Sequence, residues 1–191
     1  RKHVRRIIME IVKKVLTDAF VLKPRVFQDD RGYFYESFNE RVFESLSGIK
    51  VNFVQDNQSY SSMGTLRGLH FQTGDAAQAK LVRVTKGSAY DVAVDLRPDS
   101  PTFMQWYGVE LSEENYLQFF IPRGFAHAFV ALEDNTIFQY KVDNHYSSVN
   151  DGGVIWNDEE LAITWPKLQL ELSEKDRNLS KLNQLNLNTL W

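Results

Sequence analysis

The sequence predicts an all-β barrel with a few short helices, and three observations carry that prediction. Short β-rich runs recur along the chain, turn-forming clusters separate them, and only two stretches show helical spacing. The runs are Val51 to Val54, Ala89 to Leu96, Trp106 to Leu111, Leu117 to Ile121 and Thr136 to Val142, rich in branched and aromatic side chains that fit a pleated surface. Between runs stand Lys86-Gly87, Arg97-Pro98-Asp99-Ser100-Pro101, Pro122-Arg123-Gly124 and Glu133-Asp134-Asn135, residue types that favour tight turns. Many short strands so spaced form a sandwich or barrel. One helix is expected after Asn39, where Val42, Phe43 and Leu46 share a face, and another near Ser173 to Leu179.

A chain of 191 residues with 43% hydrophobic content suits a single domain spanning 1–191, with the barrel core at about 19–176. Residues 1–8 are expected to be a flexible or artificial extension ahead of a natural start near Met9. Arg1, Lys2, Arg5 and Arg6 resemble the start of a signal peptide, but Glu10, Lys13 and Lys14 interrupt the apolar stretch such a peptide requires. The end, Leu182 to Trp191, reads as a docked or partly ordered tail. With no cysteine there is no disulfide, thiolate zinc site or cysteine nucleophile, which favours a reducing, cytoplasmic setting. A net charge of −3 disfavours a nucleic-acid surface, and no apolar run approaches the ~20 residues of a membrane span.

Side chains two apart on a strand share a face, so polar residues in apolar rows mark what points inward. Lys80 shares its row with Val82 and Val84, His127 with Phe125 and Phe129, and Tyr140 with Phe138 and Val142. His70 shares a face with Leu66, and a bulge at Gly68 is expected to bring Arg67 to the same side. Burying lysine, histidine and tyrosine is unfavourable without partners, so their joint occurrence points to a polar cavity. Asp91 reads equally as a solvent-facing strand residue or as support for that cavity.

The stretches Phe27-Gln28-Asp29-Asp30-Arg31-Gly32, Phe53-Val54-Gln55-Asp56-Asn57, Leu66-Arg67-Gly68-Leu69-His70-Phe71-Gln72, Lys80-Leu81-Val82-Arg83 and Ile121-Pro122-Arg123-Gly124-Phe125-Ala126-His127 resemble the dTDP-4-dehydrorhamnose 3,5-epimerase family. The resemblance continues through Ser100-Pro101-Thr102-Phe103, Phe138-Gln139-Tyr140-Lys141 and Leu172-Ser173-Glu174-Lys175-Asp176, in family order from about Val21 to Asp176. It implies a cupin-like jelly-roll barrel, a homodimer, no cofactor, and action on a dTDP-linked 4-keto-6-deoxy sugar in dTDP-rhamnose biosynthesis. It also implies that His70 is the proton acceptor, Tyr140 the donor, and Asp176 the partner of His70, with Lys80 and His127 at the sugar. Arg31, Glu36, Gln55, Asn57, Arg67, Asp151 and Lys175 would bind the nucleotide-sugar, Tyr146 would stack on thymine, and Phe27 would help hold the base. Asp151 stands where glutamate is commoner in the family, and His145 falls outside the chemistry.

The chemistry fits those residue types. A proton on carbon 3 or 5 is acidic because the carbon 4 ketone takes up its charge as an enolate, so the site needs a base at carbon and a donor at oxygen. Histidine, ordinarily titrating near ~6.5, suits the base role; a carboxylate fixes its tautomer, and lysine suits the oxygen. A metal-dependent cupin oxygenase would need clustered histidines, whereas the four here are dispersed and His3 lies near the amino end. A non-catalytic sugar-binding module, a single-carbon epimerase and a 3,4-ketoisomerase remain as alternatives.

Overall fold

A strand that is apolar on both faces must be covered on both, and that requirement organises this molecule. In the computed structural model, which describes residues 7–191, β11 (Phe125–Ala131) is buried at every position. Phe125 and Phe129 pack inward, while Ala126 and Ala128 pack outward under the carboxy-terminal segment.

Two antiparallel sheets face each other. One has β1 (Met9–Lys14), β2 (Phe20–Pro24), β10 (Gln118–Ile121), β7 (Lys80–Lys86), β12 (Thr136–Val142) and β5 (Gln55–Ser61), in that spatial order. The other has β13 (Asp151–Gly153), β6 (Leu66–Gln72), β11, β8 (Ser88–Asp95) and β9 (Trp106–Ser112). The core between them joins Val82, Val84, Phe119 and Phe138 of the first sheet to Ala89, Ala93, Leu111 and Phe129 of the second. This is the expected jelly-roll barrel. A separate hairpin of β3 (Phe27–Asp29) and β4 (Gly32–Phe34) forms an arm.

The outer face of the first sheet is covered by α1 (Glu40–Ser47), whose Phe43 packs on Phe20, Leu22 and Phe120. Its limits are local chemistry: the Asn39 side chain accepts from Val42 N–H, and Gly48 closes it in the left-handed region at φ 71°. The expected second helix is α2 (Glu174–Arg177), capped by Ser173.

Four expected strands stand within a residue of their predicted ends, but Val51 to Val54 is not a strand. Val51 instead packs beside Phe43, and the chain enters the ladder at Gln55. The expected core limits, 19–176, are too narrow at both ends. Met9 is buried and its strand pairs with β2, while Leu182 and Trp191 pack on the second sheet. Ile8, placed by sequence in the extension, accepts a hydrogen bond from Arg25 N–H at 2.8 Å. Residues 1–6, with His3 and the basic cluster, lie outside the described residues.

Candidate active site

The inward polar rows converge on one cavity of about 510 Å³ between the sheets. From the first sheet it takes Asn57, Lys80 and Tyr140; from the second it takes Arg67, His70 and His127; Lys175 and Asp176 of α2 close one side.

The bulge expected at Gly68 puts Arg67 on the same face as His70. Across the β6–β11 pairing His70 stands opposite His127 and Arg67 opposite Phe129, so β6 carries one extra residue there. His70 Nε2 lies 2.6 Å from Asp176 Oδ1, and Asp176 Oδ2 accepts from Gly68 N–H at 3.2 Å. One carboxylate thus ties the bulge to the histidine. Asp176 in turn donates its own N–H to the capping Ser173 Oγ at 3.1 Å. Burial raises the Asp176 carboxyl's pKa, but the hydrogen bond and charge of His70, the Gly68 N–H and the charge of Lys175 together hold the group below its ordinary value.

Lys80 is only 8% exposed. Burial lowers its pKa from 10.5 to about 8, opposed by attraction to Asp91 and then Asp151. Its ammonium lies 5.6 Å from the centre of the Tyr140 ring. Burial likewise raises the Tyr140 phenol, against a hydrogen bond from Asn57, so the phenol keeps its proton at neutral pH. Asn57 is held by Gln55, whose amide donates to Asn57 Oδ1 at 2.9 Å.

Gln55 Oε1 also accepts from Tyr146 N–H at 3.1 Å, and the Tyr146 side chain is exposed. Lys175 is ion-paired with Asp151, which raises the lysine's pKa, and Asp151 also accepts from Gln72 at 3.2 Å. Arg67 donates to Ser61 Oγ and the Tyr60 carbonyl at 3.2 and 3.3 Å.

Six expected substrate residues do not line this cavity: Gln55, Tyr146 and Asp151 are tied to its lining through Asn57 and Lys175, whereas Phe27, Arg31 and Glu36 stand apart from it. Phe27 and Arg31 line a shallow surface of the β3–β4 arm, where Arg31 pairs with Asp29 at 2.6 Å. Glu36 follows the arm and accepts from Asn39 at 2.9 Å. The resemblance placed them by motif, whereas the arm is a hairpin outside both sheets. Asp91 is fully buried, not solvent-facing, and binds His127. Its signal was legible: an acid in the row Ala89, Asp91, Ala93. Among the described residues no group of three His, Asp or Glu is placed to hold a metal ion, and no helix is long and apolar enough to cross a membrane.

The family model described as dTDP-4-dehydrorhamnose 3,5-epimerase matches residues 13–184. The enzyme of that name from Escherichia coli is 53% identical over 178 residues, covering 93% of this chain and 96% of the relative. Among solved structures, the Bacillus anthracis epimerase with TDP and PPi bound is 54% identical with a TM-score of 0.89, covering 91% of this chain and 99% of that one. The Legionella pneumophila epimerase in complex with dTDP-4-keto-L-rhamnose is 44% identical with a TM-score of 0.91, covering 95% and 97%.

Proposed function

This chain belongs to the dTDP-4-dehydrorhamnose 3,5-epimerase family, and on that footing we propose how its cavity inverts carbons 3 and 5 of dTDP-4-dehydro-6-deoxy-D-glucose. The observation that carries the assignment of roles is that the candidate base and acid stand on opposite walls. His70 comes from one sheet and Tyr140 from the other, and both line the same cavity.

Inversion needs that arrangement. His70, oriented by Asp176, takes the carbon-bound proton; the electron pair left behind moves onto the carbon 4 oxygen, where the Lys80 ammonium stabilises the enolate. Tyr140 then delivers a proton to the opposite face of the same carbon, and the ketone re-forms. Arg67, Lys175 and Gln55 supply donors for the nucleotide-sugar, Tyr146 a flat surface for the base, and His127, Asn57 and Asp151 further polar contacts.

Phe27, Arg31 and Glu36 require a second copy to act on substrate, and the arm is suited to meeting one. Its Tyr33 and Phe34 are 57% and 66% exposed, apolar surface that a homodimer would cover. A monomer by light scattering would contradict this. A cytoplasmic location is consistent with a cysteine-free chain.

The test is incubation with the keto-sugar nucleotide in deuterated water, counting deuterium by NMR. Label at carbons 3 and 5 is the expected result; label at one carbon would make it a single-carbon epimerase, and none would favour a binding module. His70→Asn should lower kcat about 10²- to 10⁴-fold with nucleotide-sugar affinity retained. Tyr140→Phe should still exchange deuterium but fail to invert.

A further inference from the structure

The cavity holds a second histidine–carboxylate pair that these proton transfers do not use. His127 Nε2 lies 2.6 Å from Asp91 Oδ1, and the two side chains are 7% and 0% exposed. His127 stands directly across the strand pairing from His70, yet the His70 side chain is 33% exposed, so neighbouring histidines sit in unlike surroundings. Asp91 Oδ2 is buried and takes no hydrogen bond from the described residues, so the carboxylate is held by His127 and by the field of Lys80.

We propose that Asp91 is a positioning residue that locks His127 as the neutral Nε2–H tautomer, so that Nδ1 presents a lone pair to the cavity and accepts from a sugar hydroxyl. A carboxylate has only acceptor atoms, so the ring nitrogen facing it must donate. Burial disfavours a second proton on the ring; attraction to Asp91 opposes this, while the nearby Lys80 and His70 reinforce it. With one N–H committed and no second proton, the imidazole has a single remaining function in the cavity, that of acceptor. His127 therefore does not polarise the ketone. That task falls to Lys80 alone, and His127 reads a hydroxyl instead, a contact that rejects analogues lacking it. Asp91 sets this difference without touching substrate.

The inference rests on the epimerase reading of the cavity, but the tautomer is read without turnover. An inactive parent protein would therefore sink that reading and leave this one standing. The experiment is long-range ¹H–¹⁵N NMR of the whole chain labelled in histidine, near neutral pH, with His127→Asn used to identify the resonances. Expected are a protonated Nε2 and an unprotonated Nδ1, with the Nδ1 signal moving upfield on addition of dTDP-glucose, a probe with hydroxyls and no ketone. A proton on Nδ1, a doubly protonated ring, or an Nδ1 signal indifferent to the probe would overturn the proposal. In Asp91→Asn, whose amide can accept or donate, a mixture of tautomers is expected, with kcat/KM down about 10- to 100-fold, mostly in KM. Parental tautomer and kinetics in that variant would refute it; should the variant not fold, the parent spectrum decides.

Discussion

At the scale of single residues, the cavity trades stability for chemistry at Lys80. Burial holds its folded pKa at about 8 against 10.5 for the free side chain. The folded value lies below the unfolded one, so the penalty is complete below about pH 8 and fades as pH rises toward 10.5. A shift of that size corresponds to roughly 3 kcal/mol. Lys80→Met is therefore expected to be more stable than the parent in urea unfolding at neutral pH, by up to roughly 3 kcal/mol, with the advantage shrinking as pH rises. A less stable Lys80→Met at neutral pH would show that the ammonium is net stabilising through Asp91. The same protonation step sets activity: only the cation stabilises an enolate, so kcat/KM should fall as pH rises through about 8. Lys80→Arg cannot lose its proton in that range, so its lower activity should lack the alkaline fall.

Among elements, β6 decides whether the site exists. Strand alternation alone identified Lys80, Tyr140 and His127, because β7, β12 and β11 keep a period of two through the site. Arg67 needed the bulge to share a face with His70, and Gly68 signalled it. Asp176 could not be read from spacing at all: it lies 106 residues from His70 on a helix of 4 residues. Asp91 was visible as an acid in an alanine row, but its partner was not, since cross-strand register is a tertiary property. Gly68 has φ 126°, and a Cβ there would lie 2.5 Å from both Ala128 Cβ and the His127 carbonyl oxygen. Neither the backbone conformation nor the neighbouring strand can accommodate it. Gly68→Ala should cost roughly 3 kcal/mol or more in stability and draw His70 away from Asp176, lowering kcat in parallel. Parental activity at parental stability would mean that β6 tolerates a side chain at the bulge.

For the whole molecule, the ends were the least legible part, and the reason is physical. The interior strands carry periodic apolar rows, whereas Leu182, Leu185, Leu187, Leu190 and Trp191 follow neither a helical nor a strand period. Their burial depends on the surface that receives them, the outer face of the second sheet at Leu69, Phe71, Val92 and Val94. Specific bonds pin the segment there. Leu182 N–H donates to the buried Asp158 at 2.8 Å, Trp191 Nε1 to the Leu96 carbonyl at 3.1 Å, and Gly74 N–H to the Leu190 carbonyl at 2.7 Å. Trp191 also meets Phe71 edge-on at 5.5 Å, and Phe71 adjoins His70 on β6. The tail therefore braces the strand that carries the base from the side opposite the cavity. Deleting Leu182 to Trp191 bares Phe71 and Leu69 and leaves Asp158 short of a donor. Losing Leu182 and Trp191 alone should cost roughly 4 kcal/mol, read as a lower urea midpoint. Turnover should fall with it, because β6 loses its outer support. An unchanged midpoint would show that the two sheets hold β6 in place without the tail.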